Sequence, residues 1–237
     1  MKSPIQAVLH PRALVFAAIF AVACASGFAK DPALHYLKAG KPDAATLLAP
    51  PPLPGSAEAA ADLDEVRAVY HAASSNDVAA AYAEKSFSVF NFAAAAGPFL
   101  VEASLPKTTA FFAKVQSDAA TVADVGKDFF KRPRPYTTDP SLSNGKLEKS
   151  FSYPSGHSTE SMVLALVLAD LLPNQREAII AQARTIGWHR VQIARHYPTD
   201  IFAGRTLALA IVKQMKKSDA FQEDFEAVKA ELAFAQK

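Results

Sequence analysis

The chain has 237 residues, 50% of them apolar and 20% charged, with a single cysteine and a formal net charge of +2. That length suits one domain with a sizeable core, and the charge content excludes wholesale disorder. One cysteine excludes an internal disulfide framework and any multi-cysteine zinc site.

Residues 1–29 read as a cleaved signal peptide. Lys2 and Arg12 precede an apolar run from Ala13 to Cys24, and the small residues Ala25, Ser26 and Gly27 follow. A run of about a dozen residues falls short of the roughly 20 that a spanning helix needs. Cleavage after Ala25 or after Ala29 fits the pattern. A lipid anchor at Cys24 is the lesser alternative, because the usual leucine before such a cysteine is missing. The expected destination is the periplasm or the exterior. Lys2 and Arg12 are the charged residues of this segment, so the remainder carries 23 basic and 23 acidic residues and no cysteine. A neutral chain speaks against a general nucleic-acid binder.

Residues 30–60 form a proline-rich arm in this reading, with the run Ala49-Pro-Pro-Pro-Leu-Pro-Gly55. Prolines disfavour helix and favour polyproline II, so residues 30–56 are expected to be non-helical, lying along the surface or forming a disordered linker. Residues 61–237 form the helical domain. Apolar positions three and four apart predict helices near 60–73, 76–96, 107–131, 158–171, 174–194, 199–216 and 219–235. The expected class is all-α, a single-domain helical bundle. Met162–Leu172 is the most apolar stretch, too short to span a bilayer and suited to a central buried helix. Residues 137–152 read as a polar loop.

Three segments at predicted helix ends carry chemistry. The first holds Lys127, Lys131, Arg132 and Arg134, with Pro133 and Pro135 stiffening the backbone around Arg134. Cations also favour a helix C-terminus on purely structural grounds. The second is Tyr153-Pro-Ser-Gly-His157, before the apolar helix. Gly156 would let backbone N–H groups approach an anion at the helix N-terminus, although Pro154-Ser155 is equally an ordinary N-cap turn. The third runs from Arg190 to Asp200 and pairs His196 with Asp200. A carboxylate on one imidazole nitrogen leaves the other as base or nucleophile, whereas His and acid pairs at this spacing also form simple salt bridges.

Together the three segments resemble the signature of the type 2 phosphatidic acid phosphatase superfamily, which includes bacterial class A acid phosphatases, lipid phosphatases and vanadium haloperoxidases. Lys127, Arg134 and Pro135 match the first block, Pro154 to His157 the second, and Arg190, His196 and Asp200 the third. His189 stands where the family usually has Ser. The stretch Leu47–Ser56 and the middle block Phe151–His157 look like those of the class A enzymes. The resemblance implies a helical bundle of the acid phosphatase/haloperoxidase type that hydrolyses phosphate monoesters of broad specificity, without metal or other cofactor. His196 would be the nucleophile, Asp200 its orienting partner and His157 the acid and base. Lys127, Arg134, Ser155, Gly156 and Arg190 would hold the phosphate. Lys131, Arg132 and Arg195 fall outside the signature; Lys131 and Arg132 read as a solvated basic face, and contact of any of the three with substrate is the lesser alternative. A haloperoxidase, a membrane lipid phosphatase and a phosphate-binding protein are the weaker readings. Small phosphate esters are the expected partners, with no nucleic acid and no stable membrane span; self-association through exposed Phe side chains is left open.

Overall fold

Alanine-rich segments become helices where a cap and a packing face coincide. In the computed structural model, which describes residues 34–143 and 145–237, no strand occurs among the described residues. The α-helices are α1 (Ala44–Leu47), α2 (Ala57–Ala72), α3 (Ser75–Ala83), α4 (Ala93–Ala96), α5 (Pro106–Phe130), α6 (Pro135–Thr138), α7 (Gly156–Leu171), α8 (Arg176–Gln192), α9 (Pro198–Met215) and α10 (Asp219–Ala235). The chain is all-α, as its sequence predicts. The export signal expected at residues 1–29 lies outside the described residues. Among the described residues no helix is long and apolar enough to cross a membrane.

The apolar run from Met162 makes α7 the central helix. It packs against α5, α8 and α9, and Val163, Leu164, Ala165, Val167 and Leu168 lose all solvent exposure. Each buried Val or Leu side chain contributes roughly 1.5–3 kcal/mol. Serines 155, 56, 74 and 218 cap α7, α2, α3 and α10, each accepting a first-turn N–H. The start of α5 has no local cap. Glu231 of α10 supplies one instead, accepting from the N–H groups of Lys107 (3.0 Å) and Thr108 (2.8 Å).

Two expectations need correction. The helix predicted at 76–96 is broken after Ala83. Its continuation is a 3-10 turn at Val89–Phe92 started by Ser88, then the short α4. The break has a tertiary cause: the Glu84 carbonyl and carboxylate both turn toward histidines of the bundle, as described below. Nor is the loop 137–152 wholly irregular. Helix α6 and a 3-10 turn at Pro140–Leu142 occupy its start, and Leu142 is fully buried.

The arm is ordered over residues 34–56 rather than a loose linker, and it includes one turn of helix. Asp43 caps α1 by accepting the Ala45 N–H, and the prolines resume at Pro50. Tyr36, Leu37, Ala44 and Leu48 are buried in the main core. Asp118 of α5 accepts the N–H groups of His35 (2.8 Å), Tyr36 (2.8 Å) and Leu37 (3.1 Å). The Tyr153 hydroxyl donates to the Ala49 carbonyl at 2.5 Å, so the arm reaches the loop that precedes α7.

Helix α9 crosses the start of α7 at Gly204. A Cβ there would lie 2.8 Å from the Ser155 carbonyl oxygen and 3.0 Å from Ser158 Cβ. Gly204→Ala should therefore push the two helices apart. The expected cost is about 1–3 kcal/mol of unfolding free energy in chemical denaturation, with a loss of activity beyond the unfolded fraction.

Candidate active site

The site is built where α5, α7, α8 and α9 end or begin. His196 and Asp200 stand on either side of the turn into α9, and Asp200 is its third residue. Asp200 has no exposure. Its Oδ2 accepts from the Ser152 hydroxyl (2.5 Å) and the Tyr197 N–H (2.9 Å), and its Oδ1 accepts from Arg132 Nη1 (2.6 Å). His196 Nδ1 lies 3.3 Å from Oδ2 and 3.4 Å from Ser152 Oγ. Burial alone would raise the Asp200 pKa. The hydrogen bond to His196 and the charge of Arg132 outweigh it and hold the carboxyl below its usual range.

These partners fix the tautomer of His196. An ionised carboxylate can only accept, so Nδ1 carries the proton. The other ring nitrogen, Nε2, lies 3.3 Å from Arg134 Nη1. A guanidinium can only donate, so Nε2 presents its lone pair to the cationic side of the site. Burial, then the Arg134 charge, pushes the His196 pKa down to about 4.

Arg134 is 3% exposed and rigidly held. It donates to the Ser150 carbonyl (2.8 Å) and hydroxyl (2.9 Å), the Phe151 carbonyl (3.2 Å) and the Arg195 carbonyl (2.9 Å). Arg190 is also buried. Its Nη2 donates to the Ala81 carbonyl, and its Nε has no hydrogen-bond partner among the described residues. Lys127 lies beside the start of α7: a Cβ on Gly156 would come within 3.1 Å of its Nζ, which bonds Asp124 at 2.8 Å. The absence of a side chain at Gly156 is thus what admits the ammonium to this helix end. Ser155 is fully buried, and its hydroxyl caps α7 by accepting the Ser158 N–H.

His157 points to α3. Its Nε2 sits 3.2 Å from the Glu84 carbonyl, which can only accept. The Glu84 carboxylate in turn lies 2.7 Å from His189 Nδ1. His189, at the one position that departs from the family pattern, therefore braces the residue that holds His157. Burial first, then the charges of Arg190 and His196, lowers the His157 pKa to about 3.

A cavity of about 590 Å³ opens beside these groups, bordered by Tyr82, Lys85, Glu148, Arg190 and Arg195. An apolar groove of about 640 Å³ between the arm and α9, lined by Pro50, Leu53 and Phe202 among others, contains none of the predicted site residues. Among the described residues no three His, Cys, Asp or Glu side chains converge in a way that would hold a metal ion.

Residues 108–220 match the PAP2 superfamily. The chain is 29% identical over 218 residues to a non-specific acid phosphatase of Providencia stuartii, covering 85% of this chain and 86% of the relative. It is 27% identical to an acid phosphatase of Zymomonas mobilis, covering 94% and 90%. Residues 108–220, which hold the site, form a PAP2 superfamily domain. A crystal structure of a transmembrane PAP2 type phosphatidylglycerolphosphate phosphatase from Bacillus subtilis aligns with TM-score 0.48 and 21% identity, covering 73% of this chain and 89% of that one.

Two cations outside the signature are interior groups: Arg132, read from sequence as part of a solvated face, and Arg195. Arg132 is 8% exposed and joins Asp200 to Asp62 of α2, whose Oδ2 lies 2.6 Å from Arg132 Nη2. Its guanidinium stacks 3.7 Å from the Tyr197 ring centroid. Arg195 is 3% exposed and donates to the Lys146 carbonyl at 3.2 Å. Both charges are buried because carboxylates far away in sequence fold onto them. Lys131 is exposed, as expected, and ends α5 in the left-handed conformation at φ 51°. Sequence reading also passed over Glu84, Ser152, Asp62 and Glu148. Ser152, two residues before Pro154, had a positional signal in its closeness to the middle block. The others had none.

Removing Arg132 strands two buried carboxylates. Arg132→Met should cost about 3–5 kcal/mol of stability in urea denaturation, and adding Asp62→Asn should recover part of that loss. The histidines set the acid behaviour. Both have folded pKa values, about 3 and about 4, below the roughly 6.5 of an unfolded chain. The unfolded state therefore takes up protons first, and this contribution to stability falls as pH drops from about 6.5 toward 3. Thermal melts should show that decline, and inorganic phosphate, by favouring the charged imidazoles, should reduce it.

Proposed function

We propose that this protein is an exported acid phosphatase that hydrolyses phosphate monoesters through a phosphohistidine on His196, without a metal ion. The observation that carries this reading is the His196 ring held between Asp200 and Arg134, its lone pair directed toward fixed cations. The acid phosphatase relatives and the PAP2 match support the same chemistry.

Phosphoryl transfer needs positive groups around oxygens whose charge is spread in the transition state. Arg134, Arg190 and Lys127 supply them, with the Ser155 hydroxyl and the Gly156 N–H completing the cradle at the start of α7. His196 Nε2 attacks phosphorus in line, forming the P–N bond as the ester P–O bond breaks. Asp200 stabilises the positive imidazole that results. His157 gives its proton to the departing alkoxide. It then takes a proton from water as that water attacks phosphorus, and the P–N bond breaks to release phosphate.

The low His157 pKa decides how its proton arrives. Phosphate monoesters lose their second proton near pH 6. Below that they enter as monoanions, and the bound anion favours a protonated His157. This account places the activity on the acid side of neutrality.

His196→Ala should retain the helical circular dichroism spectrum while losing turnover by at least about 10³-fold. Alkaline quenching, which preserves a P–N bond, during turnover of an ester radiolabelled on phosphorus should trap label on the parent protein and not on the variant. Undiminished activity in the variant would refute the nucleophile, and loss of wild-type activity in EDTA would refute metal independence.

A further inference from the structure

One carboxylate outside the matching blocks reaches the phosphate cradle. Glu148 Oε2 lies 2.5 Å from Arg134 Nη2, and Oε1 lies 4.0 Å from Arg195 Nε. Burial would raise the Glu148 pKa. The charge of Arg134, followed by those of His196, His157 and Arg195, outweighs burial and keeps it ionised. The guanidinium that holds this carboxylate most closely, that of Arg134, is therefore one of the groups assigned to a substrate phosphate.

The two partners of this ion pair differ in freedom. Arg134 is buried and pinned by four other acceptors, whereas the Glu148 side chain is 38% exposed. The Glu148 backbone is fixed, because the Tyr136 hydroxyl bonds both its N–H and its carbonyl at 3.1 Å. The adjoining Lys146 carbonyl is held by Arg195. Rotation of one side chain toward solvent is enough to open the cradle, with no displacement of the loop.

We propose that Glu148 is an internal competitor for the phosphate site. Its carboxylate neutralises Arg134 between turnovers and must swing away before a phosphate group can bind. This inference rests on the cradle being the phosphate site. A bound fraction of about nine-tenths would weaken the apparent affinity for phosphate about tenfold. Glu148 thereby sets the affinity of the site without touching the bonds that react.

The test is calorimetric titration of the intact protein with inorganic phosphate, comparing wild type with Glu148→Gln and Glu148→Ala. Both variants should bind phosphate about tenfold more tightly, and the KM for an aryl phosphate should fall in parallel with kcat not reduced. Circular dichroism establishes that each variant is folded. Measurable but equal affinity in all three proteins would overturn the competitor role alone. Weaker binding in the variants would overturn it in favour of a direct contribution of Glu148 to the ligand. No phosphate binding in any of them would overturn the phosphatase reading, and the proposal with it.

Discussion

A carboxylate with no access to water must find donors on every side, and Asp200 does. It takes two hydrogen bonds from Ser152 and the Tyr197 N–H and a third from Arg132, and it lies against His196. Its own carbonyl accepts the Ser155 N–H at 3.1 Å, joining the start of α9 to the start of α7. Through Arg132 it is tied to Asp62 on α2. Four parts of the chain thus meet on one acidic residue. An isolated buried charge costs several kcal/mol, so none of these attachments is optional once Asp200 is buried.

That network explains how a buried histidine keeps a usable lone pair. Burial alone drives His196 toward its neutral form, and Asp200 decides which nitrogen keeps the proton. Arg134 stabilises the same outcome from the opposite edge of the ring. His157 is treated alike by a carbonyl, and the Glu84–His189 pair behind it replaces the serine expected at position 189. His157 is thus supported in this chain through the histidine at position 189. The cationic groups around the two rings are balanced from within the chain, by Asp124 on Lys127 and Glu148 on Arg134. This is how residues 30–237, with 23 basic and 23 acidic residues, can hold a concentrated positive site.

The amphipathic helices were legible in the sequence because their signals are local. Proline at the first position of α5 and α9, serine caps, and three-and-four spacing lie within a few residues of what they specify. The predicted helix at 76–96 failed for the opposite reason. Its alanines favour helix only at the two ends, residues 84–92 hold none, and Glu84 is drawn to His189, 105 residues away, and to His157, 73 residues away. The proline arm was legible as an unusual segment, while its docking rests on Asp118 and Tyr153, which no local pattern connects to it. Likewise, nothing near Arg132 or Arg195 announces that distant acids and carbonyls will cover them.

By itself the sequence determined the class of the fold, the central place of α7 and the residues matching the family signature, from Lys127 to Asp200. These follow from composition, periodicity and short motifs, all readable along the chain. Only the tertiary structure decided which nitrogen of His196 faces the cations, that Arg132 is a buried clamp, that His189 braces His157 through Glu84, and that Glu148 pairs with Arg134. Each of these depends on charges and dipoles brought together across tens of residues, and electrostatic pairing acts through distance in space, which chain order does not encode.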